Sequence, residues 1–492
     1  MMKKTCLLLL LCITVLLSSC SFHINEEQAD EIKQSGEISL FAYTPDTLNP
    51  LKTEYKTNAS LLSALLYVPL VRVNPDFSVS PALAEKWSFS ADGSTCVLTL
   101  KKGVLFSDGT PLTTENVISS FELVSKHPNN MFYGVTDYVQ SISGSGNSVT
   151  LHLKKSGSGV LAHLTFPILK DESSLVGCGP YTLSKKEKNG LTLTAVSADT
   201  AFITPHIQTV HVKYYPKSEM WASSFLSSET DVIAADMATL SKINSKTNVT
   251  ASEFTTDTFT YLGFNCNSEV IADKNARKAI GYLIDKDTML NSLFVGYALK
   301  TNSPFKPKTT YANLYNGDFN YNKELAQKYF KESETNSNLQ FSILINEEND
   351  TKKRIADFIA GKLNQTGMFV TVLAVPFEEY TEKIASGDYT AYIGEVNIPA
   401  DQDMRFLLGS GQNNLNFSSA YMDTLLSKFA SETSEKEKKV CAQEIQKQLL
   451  DQAPLISLYY ETNVLMVSDS ISGTFAPLSS NLYNGIENWT VK

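Results

Sequence analysis

The 492-residue chain contains no Cys-x-x-Cys pair, no zinc-ligand spacing and no long basic run. The first two omissions remove the common thiol-redox and structural-zinc classes. The third argues against a nucleic-acid binder, which needs a basic stripe: acidic side chains number 52 against 42 basic ones, and the formal net charge is −10. No Gly-x-Ser-x-Gly and no His-Glu-x-x-His occurs, so an exported peptidase is the weaker of the functional readings. The six histidines (His23, His127, His152, His163, His206 and His211) are scattered, and no metal site or cofactor is expected from them. Beyond the N-terminus there is no stretch of ~18 or more apolar residues, so no later segment is expected to span a bilayer.

What is present is a globular composition, 42% hydrophobic and 19% charged. A chain of 492 residues exceeds one ordinary core, and two or three domains are expected. Lys3 and Lys4 precede an apolar run from Leu7 to Leu17 that ends in Leu17-Ser18-Ser19-Cys20. The run is too short for a mature spanning helix and fits a secretory leader, here residues 1–19. Small residues before a cysteine resemble a lipobox, which implies cleavage before Cys20 and lipidation of its thiol. A multiply acylated residue anchors stably where one chain does not. Residues 20–35 are polar and acidic and read as a tether. Removing the two lysines takes the charge from −10 to −12. Of the seven cysteines, Cys96, Cys178, Cys266 and Cys441 remain in the body of the chain. Cys96 lies on an apolar strand face and reads as a small core residue.

The rest of the chain is organised around Pro81–Glu122. Trp87 and Phe89 alternate before a turn at Ala91-Asp92-Gly93-Ser94, and Cys96, Leu98 and Leu100 line one face of a second strand. Asp108-Gly109 turns the chain and Pro111 ends any strand, having no N–H for a ladder. Thr113 is placed to cap a helix whose inner face carries Val117, Ile118, Phe121 and Val124. This wording is similar to the signature region of the extracellular solute-binding proteins of family 5, the oligopeptide, dipeptide and nickel binders of ABC importers. Their pattern is P-x-L-A-x-x-W, D-G-x-x-x-x-x-L, then F-x-D-G-x-P-x-T-x-x-D-V; Asn116 stands where an acidic residue is usual.

The resemblance continues in order along nearly the whole chain. Leu48-Asn49-Pro50-Leu51 resembles the loop after the first strand. Gly177-Cys178-Gly179-Pro180-Tyr181 resembles G-T-G-P-Y, whose glycines allow positive φ and close backbone approach. Tyr261–Asn265, Arg277–Asp285, Tyr321-Asn322 and Ala453–Tyr459 resemble later segments. Between them the pattern predicts a helix over 59–72 broken at Pro69, a hairpin over 139–153 and strands within 191–215. Asp273 and Asn322 are expected to cap helices. Strands and helices alternating after residue 340 suggest a largely parallel sheet.

The resemblance implies an α/β, two-lobed periplasmic-binding-protein-like fold (type II) with an extra α+β subdomain in the first lobe. The first lobe is expected from 36–58, 177–264 and 463–492, its subdomain from 59–176, and the second lobe from 265–462. The chain would cross between lobes near 264 and 462. The implied function is a lipid-anchored binding protein, facing outside the cytoplasm, that delivers a peptide to permease subunits. It would be a monomer with no catalytic residues. A non-peptide solute such as a metal chelate, or a peptide-signal role, is the alternative.

In peptide-binding members of the resembled family, a G-W-x-x-D-Y-x-D-P segment takes the peptide amine on its first Asp, and nearby backbone pairs with the ligand. The corresponding stretch is Gly394–Asp403. Without gaps, Glu395 replaces the Trp, Ile398 replaces the amine-binding Asp, and Asp401 matches the second Asp. A buried amine needs a carboxylate, so Glu395, Asp401 or Asp403 would supply one from a shifted position. Val396 and Asn397 would border the ligand. Tyr43 and Thr44 on the first loop, Tyr133, and Tyr459 and Tyr460 on the return strand complete the expected site. Arg405 is a further candidate for a carboxylate ligand.

Overall fold

A computed structural model of the chain describes residues 36–492 apart from 199, 201, 244, 245, 316, 335–337 and 412. The expected leader, the tether and Cys20 lie outside the described residues.

The Pro81–Glu122 stretch forms the elements its pattern requires. Strands Ala84–Phe89 and Thr95–Leu100 pair antiparallel, with Trp87 opposite Leu98 and Phe89 opposite Cys96. Cys96, Leu98 and Leu100 are buried. Strands Ser148–Leu153 and Val139–Ser145 extend this hairpin to a four-stranded sheet. Thr113 is the N-cap of helix Thr114–Ser125, and its backbone N–H donates to Asn116 Oδ1 at 2.9 Å. Asn116 Nδ2 also donates to the Lys170 carbonyl at 3.0 Å. The amide thus does what an acidic residue would at the cap, and adds a donor that a carboxylate lacks.

A second four-stranded sheet orders Glu37–Tyr43, Thr209–Tyr215, Gly190–Ala195 and Tyr181–Glu187. It shares one continuous core with the hairpin sheet and helix Lys56–Leu66. That helix starts earlier and stops earlier than the 59–72 expected from apolar content. Tyr67 is already extended (φ −133°), two residues before Pro69, and the β-branched Val71–Val73 enters a strand instead. Gly177 and Gly179 explain the helix position. A Cβ on Gly179 would stand 2.4 Å from the Leu66 carbonyl carbon and one on Gly177 1.9 Å from its oxygen. Neither glycine has positive φ; close approach is what the Gly-Cys-Gly sequence provides.

The third sheet orders Val232–Ala235, Leu455–Ser468, Val249–Phe264, Ala391–Asn397, Gln340–Asn346 and Phe369–Val375, with Ala298–Lys300 also on Leu455–Ser468. It is mixed rather than largely parallel. Both parallel pairs involve Gln340–Asn346, which lies between Ala391–Asn397 and Phe369–Val375, and the long central strands pair antiparallel. The parallel pairs sit where helix Asp350–Asn364 supplies a crossover. Both faces of this sheet are covered. Leu262, Phe264, Ile343 and Ile345 face one core with helices Lys274–Leu283 and Asp350–Asn364. Phe259, Tyr261 and Leu344 face another with helices Ala420–Ser431 and Glu435–Gln452.

The expected helix caps form. Asp273 Oδ1 accepts from the Asn275 N–H at 2.8 Å, and Asn322 Oδ1 accepts from the Leu325 N–H at 2.9 Å. Asn322→Ala is expected to lower the unfolding free energy by about 1 kcal/mol, read as a shifted urea midpoint with an unchanged slope. An unaltered midpoint would show the cap to be idle.

Candidate functional site

The site begins at an irregularity in the long strand Val249–Phe264. Thr255 pairs with Thr462 and Phe259 with Tyr460, so Thr256, Asp257 and Thr258 oppose Glu461 alone. Extra residues of this kind bend a strand and re-aim its side chains. The bulge falls where Val249–Phe264, while still paired with Leu455–Ser468, begins to pair with Ala391–Asn397 on its other side. Thr256, Asp257 and Thr258 all line a cavity of about 620 Å³. That lies within the ~300–1,000 Å³ of small-molecule sites. Residues 71–73 and Phe77 of the inserted subdomain, the loop 397–400 and the C-terminal segment 478–487 supply other walls.

Two ion pairs belong to this cavity. Lys306 Nζ donates to Asp257 Oδ1 at 2.5 Å. It also lies 5.1 Å from the centroid of the Phe77 ring, a cation–π contact. Arg72 and Glu487 line the same cavity, and Arg72 Nη1 donates to Glu487 Oε1 at 3.0 Å.

Beside the cavity, Tyr138 and His163 meet the loop that carries Asp401. The Tyr138 hydroxyl donates to Asp401 Oδ2. The Tyr138 ring stacks on His163 at 4.3 Å, and His163 Nε2 stands 3.9 Å from Asp401 Oδ1, an ion-pair separation rather than a hydrogen bond. The Asp403 N–H donates to Asp401 Oδ1 at 3.3 Å. Burial alone would raise the Asp401 pKa, but His163 and the Tyr138 hydrogen bond outweigh it and hold the carboxyl below its usual range. Nearby, the Ser158 N–H and hydroxyl both donate to the Glu432 carbonyl, at 3.1 and 3.2 Å. A Cβ on Gly157 would meet the Ala430 carbonyl oxygen at 2.4 Å, so the close fit here needs glycine.

Of the residues expected from the sequence to bind ligand, Asn397 lines the cavity, with its Oδ1 accepting from Thr258 Oγ1 at 3.2 Å. Tyr43 instead stacks on Tyr55 at 5.1 Å and packs on Trp221 at 4.6 Å. Thr44 is exposed, its N–H donating to the Tyr215 carbonyl. Tyr133 begins a short 3-10 turn whose neighbours Phe132 and Gly134 line the cavity. Glu395 is exposed and Val396 packs on the second-lobe core, both off the cavity. Asp401 is held by Tyr138 and His163. Asp403 is held by Arg405, whose Nε lies 2.9 Å from each carboxylate oxygen. Arg405 is thereby paired within its own loop. Tyr459 and Tyr460 are 1% and 0% exposed, in the cores on opposite faces of the sheet. The tyrosines and carboxylates are therefore not gathered at one point.

Arg72, Asp257, Lys306, Tyr138 and His163 were not legible as a group in the sequence. One signal was available: Phe254 and Phe259 are both buried yet five residues apart, a break in the period-2 pattern that marks the bulge. Pro81–Glu122 does not line the cavity. Cys178 is 3% exposed, and burial pushes its thiol up to about 12, far from a reactive thiolate. Among the described residues no group of three or more His, Cys, Asp or Glu is placed to hold a metal ion, and no helix is long and apolar enough to cross a membrane.

A mixed sheet built on two long antiparallel strands, with a cavity at their bulge, is an arrangement that fits the class of two-lobed solute-binding proteins. The chain belongs to the bacterial extracellular solute-binding proteins of family 5: the model of that family's middle region matches residues 78–416. It is 22% identical over 546 residues to the oligopeptide-binding protein AppA of Bacillus subtilis, covering 99% of both chains. It is also 22% identical over 544 residues to heme-binding protein A of Haemophilus influenzae, again covering 99% of both. The structure of HbpA2 from Haemophilus parasuis superposes with a TM-score of 0.80 at 16% identity, covering 93% of this chain and 100% of that one. The fold is thus the α/β type II periplasmic-binding-protein fold, and the matched relatives are binding proteins rather than enzymes.

Proposed function

We propose that this protein is a lipid-anchored receptor that captures short peptides outside the cytoplasm and delivers them to the permease of an ABC importer. The observation that carries the peptide reading is the cavity at the strand crossing, which presents a guanidinium, a carboxylate, hydroxyls and apolar walls together. A peptide offers the complement of each: two charged ends, backbone donors and acceptors, and side chains of mixed polarity. The leader ending at Cys20 supports anchoring. The register shift that sets 256–258 against 461 in the two paired long strands supports a hinge, with lobes closing over the ligand. The relatives named for peptides are consistent with this ligand class.

Native mass spectrometry of the purified protein tests the reading. A distribution of short peptides released on unfolding is the expected result. A single non-peptide mass would replace the peptide with another solute.

A further inference from the structure

The outer edge of the third sheet has little to keep another strand away. Phe369–Val375 ends the sheet, and among the described residues Gln340–Asn346 is its one neighbouring strand. Its sequence, FVTVLAV, carries no charge, proline or glycine. Edge strands ordinarily carry blocking residues, because their free N–H and C=O groups invite another chain. Phe369 and Leu373 are 61% and 39% exposed, and Phe377 just beyond the strand is 59% exposed. Phe369, Thr371 and Leu373 share one face of the strand.

The free backbone groups are few and well defined. The Phe369 N–H donates to the Leu339 carbonyl at 2.9 Å, and the Glu347 N–H donates to the Val375 carbonyl at 2.8 Å. The odd-numbered residues thus turn their backbone groups inward, and Val370, Val372 and Ala374 turn theirs outward. Val370 is already satisfied. Its N–H donates to Asn364 Oδ1 at 2.6 Å, and its carbonyl accepts from Asn364 Nδ2 at 2.9 Å. At the other end Pro376 has no N–H. Among the described residues nothing bonds the outward groups of Val372 and Ala374.

We propose that this edge is a self-pairing surface that joins two copies of the chain antiparallel, across a two-fold axis at Leu373. With Leu373 opposite its own copy, Val372 faces Ala374 of the second copy, and the reverse. Each such pair exchanges two backbone hydrogen bonds, so both pairs together use every free group. A shift of register by two residues sets Ala374 against Val370, which Asn364 has taken, or Val372 against Pro376. The same register lays Phe369 against Phe377 of the second copy and covers two exposed rings. Charge agrees with it. Lys362 precedes the strand at its Phe369 end, and Glu378 and Glu379 follow Phe377. An antiparallel copy sets the basic end beside the acidic one. A dimer thus replaces the monomer that the resemblance implies, whatever fills the cavity.

Sedimentation velocity and cysteine cross-linking of the purified protein test this. The interface is small, so the dimer is expected to be weak, half-dissociated at ~10–100 µM. Leu373→Lys sets two ammonium groups opposite each other and is expected to weaken the dimer ~10-fold or more. The position is exposed, so the fold is expected to be unaltered. Leu373→Cys is expected to give a disulfide-linked dimer on mild oxidation, its two Cβ atoms standing ~4.5 Å apart. Thr371→Cys, which faces Val375 of the second copy, is expected to give none. A protein that stays monomeric up to about 200 µM would overturn the proposal. So would a dimer that Leu373→Lys leaves intact, or equal linkage from the two cysteine variants.

Discussion

Asp401→Ala is expected to shift the protein towards separated lobes, with a larger radius of gyration in small-angle scattering at neutral pH. The Asp401 side chain is 5% exposed and receives the Tyr138 hydroxyl, with His163 beside it. Removing one member of such a buried polar set leaves the others without an acceptor, a cost of about 3 kcal/mol or more. That cost falls on the docked arrangement alone. Once the lobes part, Tyr138, His163 and residue 401 all reach water. The docked-to-separated ratio should therefore fall by about two orders of magnitude, while each lobe keeps its own core. Peptide affinity should drop with the population of the docked form. Asp401→Asn keeps an acceptor for Tyr138 but not the charge facing His163, and should lie between. A scattering profile unaltered in Asp401→Ala would show that the contact does not hold the lobes.

The same carboxylate sets a pH limit. Its pKa in the folded protein is below the usual value of about 3.9. A depressed carboxylate contributes stability above its unfolded-state pKa and loses it as pH falls through the folded-state value. The contact is thus complete at neutral pH and weakens only below about pH 4.

Local structure was legible along this chain because local causes set it. Thr113, Asp273 and Asn322 cap helices with their own side chains or near neighbours, and alternation marks the strands of 191–215. The sheet direction was not legible. The pairing of Ala251 with Met466 joins strands more than two hundred residues apart, and no short-range pattern records whether such partners run parallel. The candidate site shows the same division. Within Gly394–Asp403, Asn397 lines the cavity, but the contacts of Asp401 come from Tyr138 and His163 in a different part of the chain. Tyr459 and Tyr460 lie in a strand buried on both faces, where six consecutive residues from Leu455 to Tyr460 are buried and neither side can be read as the cleft. Arg72 and Asp257 belong to no motif. Their meaning arises only when a bulge and a subdomain strand are brought to one cavity.

Unfolding free energy is expected to rise by about 2 kcal/mol between pH 7 and pH 9 on account of Lys286 alone. This lysine is 3% exposed. Its Nζ donates to Asn302 Oδ1 at 2.6 Å and to the carbonyls of Thr301 and Ser457 at 3.2 and 3.3 Å, all neutral acceptors. Burial pushes its pKa down to about 7, with Lys300 adding to the shift. In the unfolded chain the ordinary value is about 10.4. Between these values the unfolded chain holds a proton that the native protein has released, so stability rises with pH at up to ~1.36 kcal/mol per unit. Near pH 7 the lysine is half-protonated and the slope is about half of that. Other groups titrate over the same range, so the clean measurement is the difference between the unaltered protein and Lys286→Met. Methionine strands three acceptors, which offsets part of its gain at pH 7, but that cost does not vary with pH. The difference in denaturant-derived stability should therefore shift by about 2 kcal/mol from pH 7 to pH 9 in favour of the unaltered protein. A difference that stays constant would mean that Lys286 remains charged, compensated by its three acceptors despite its burial.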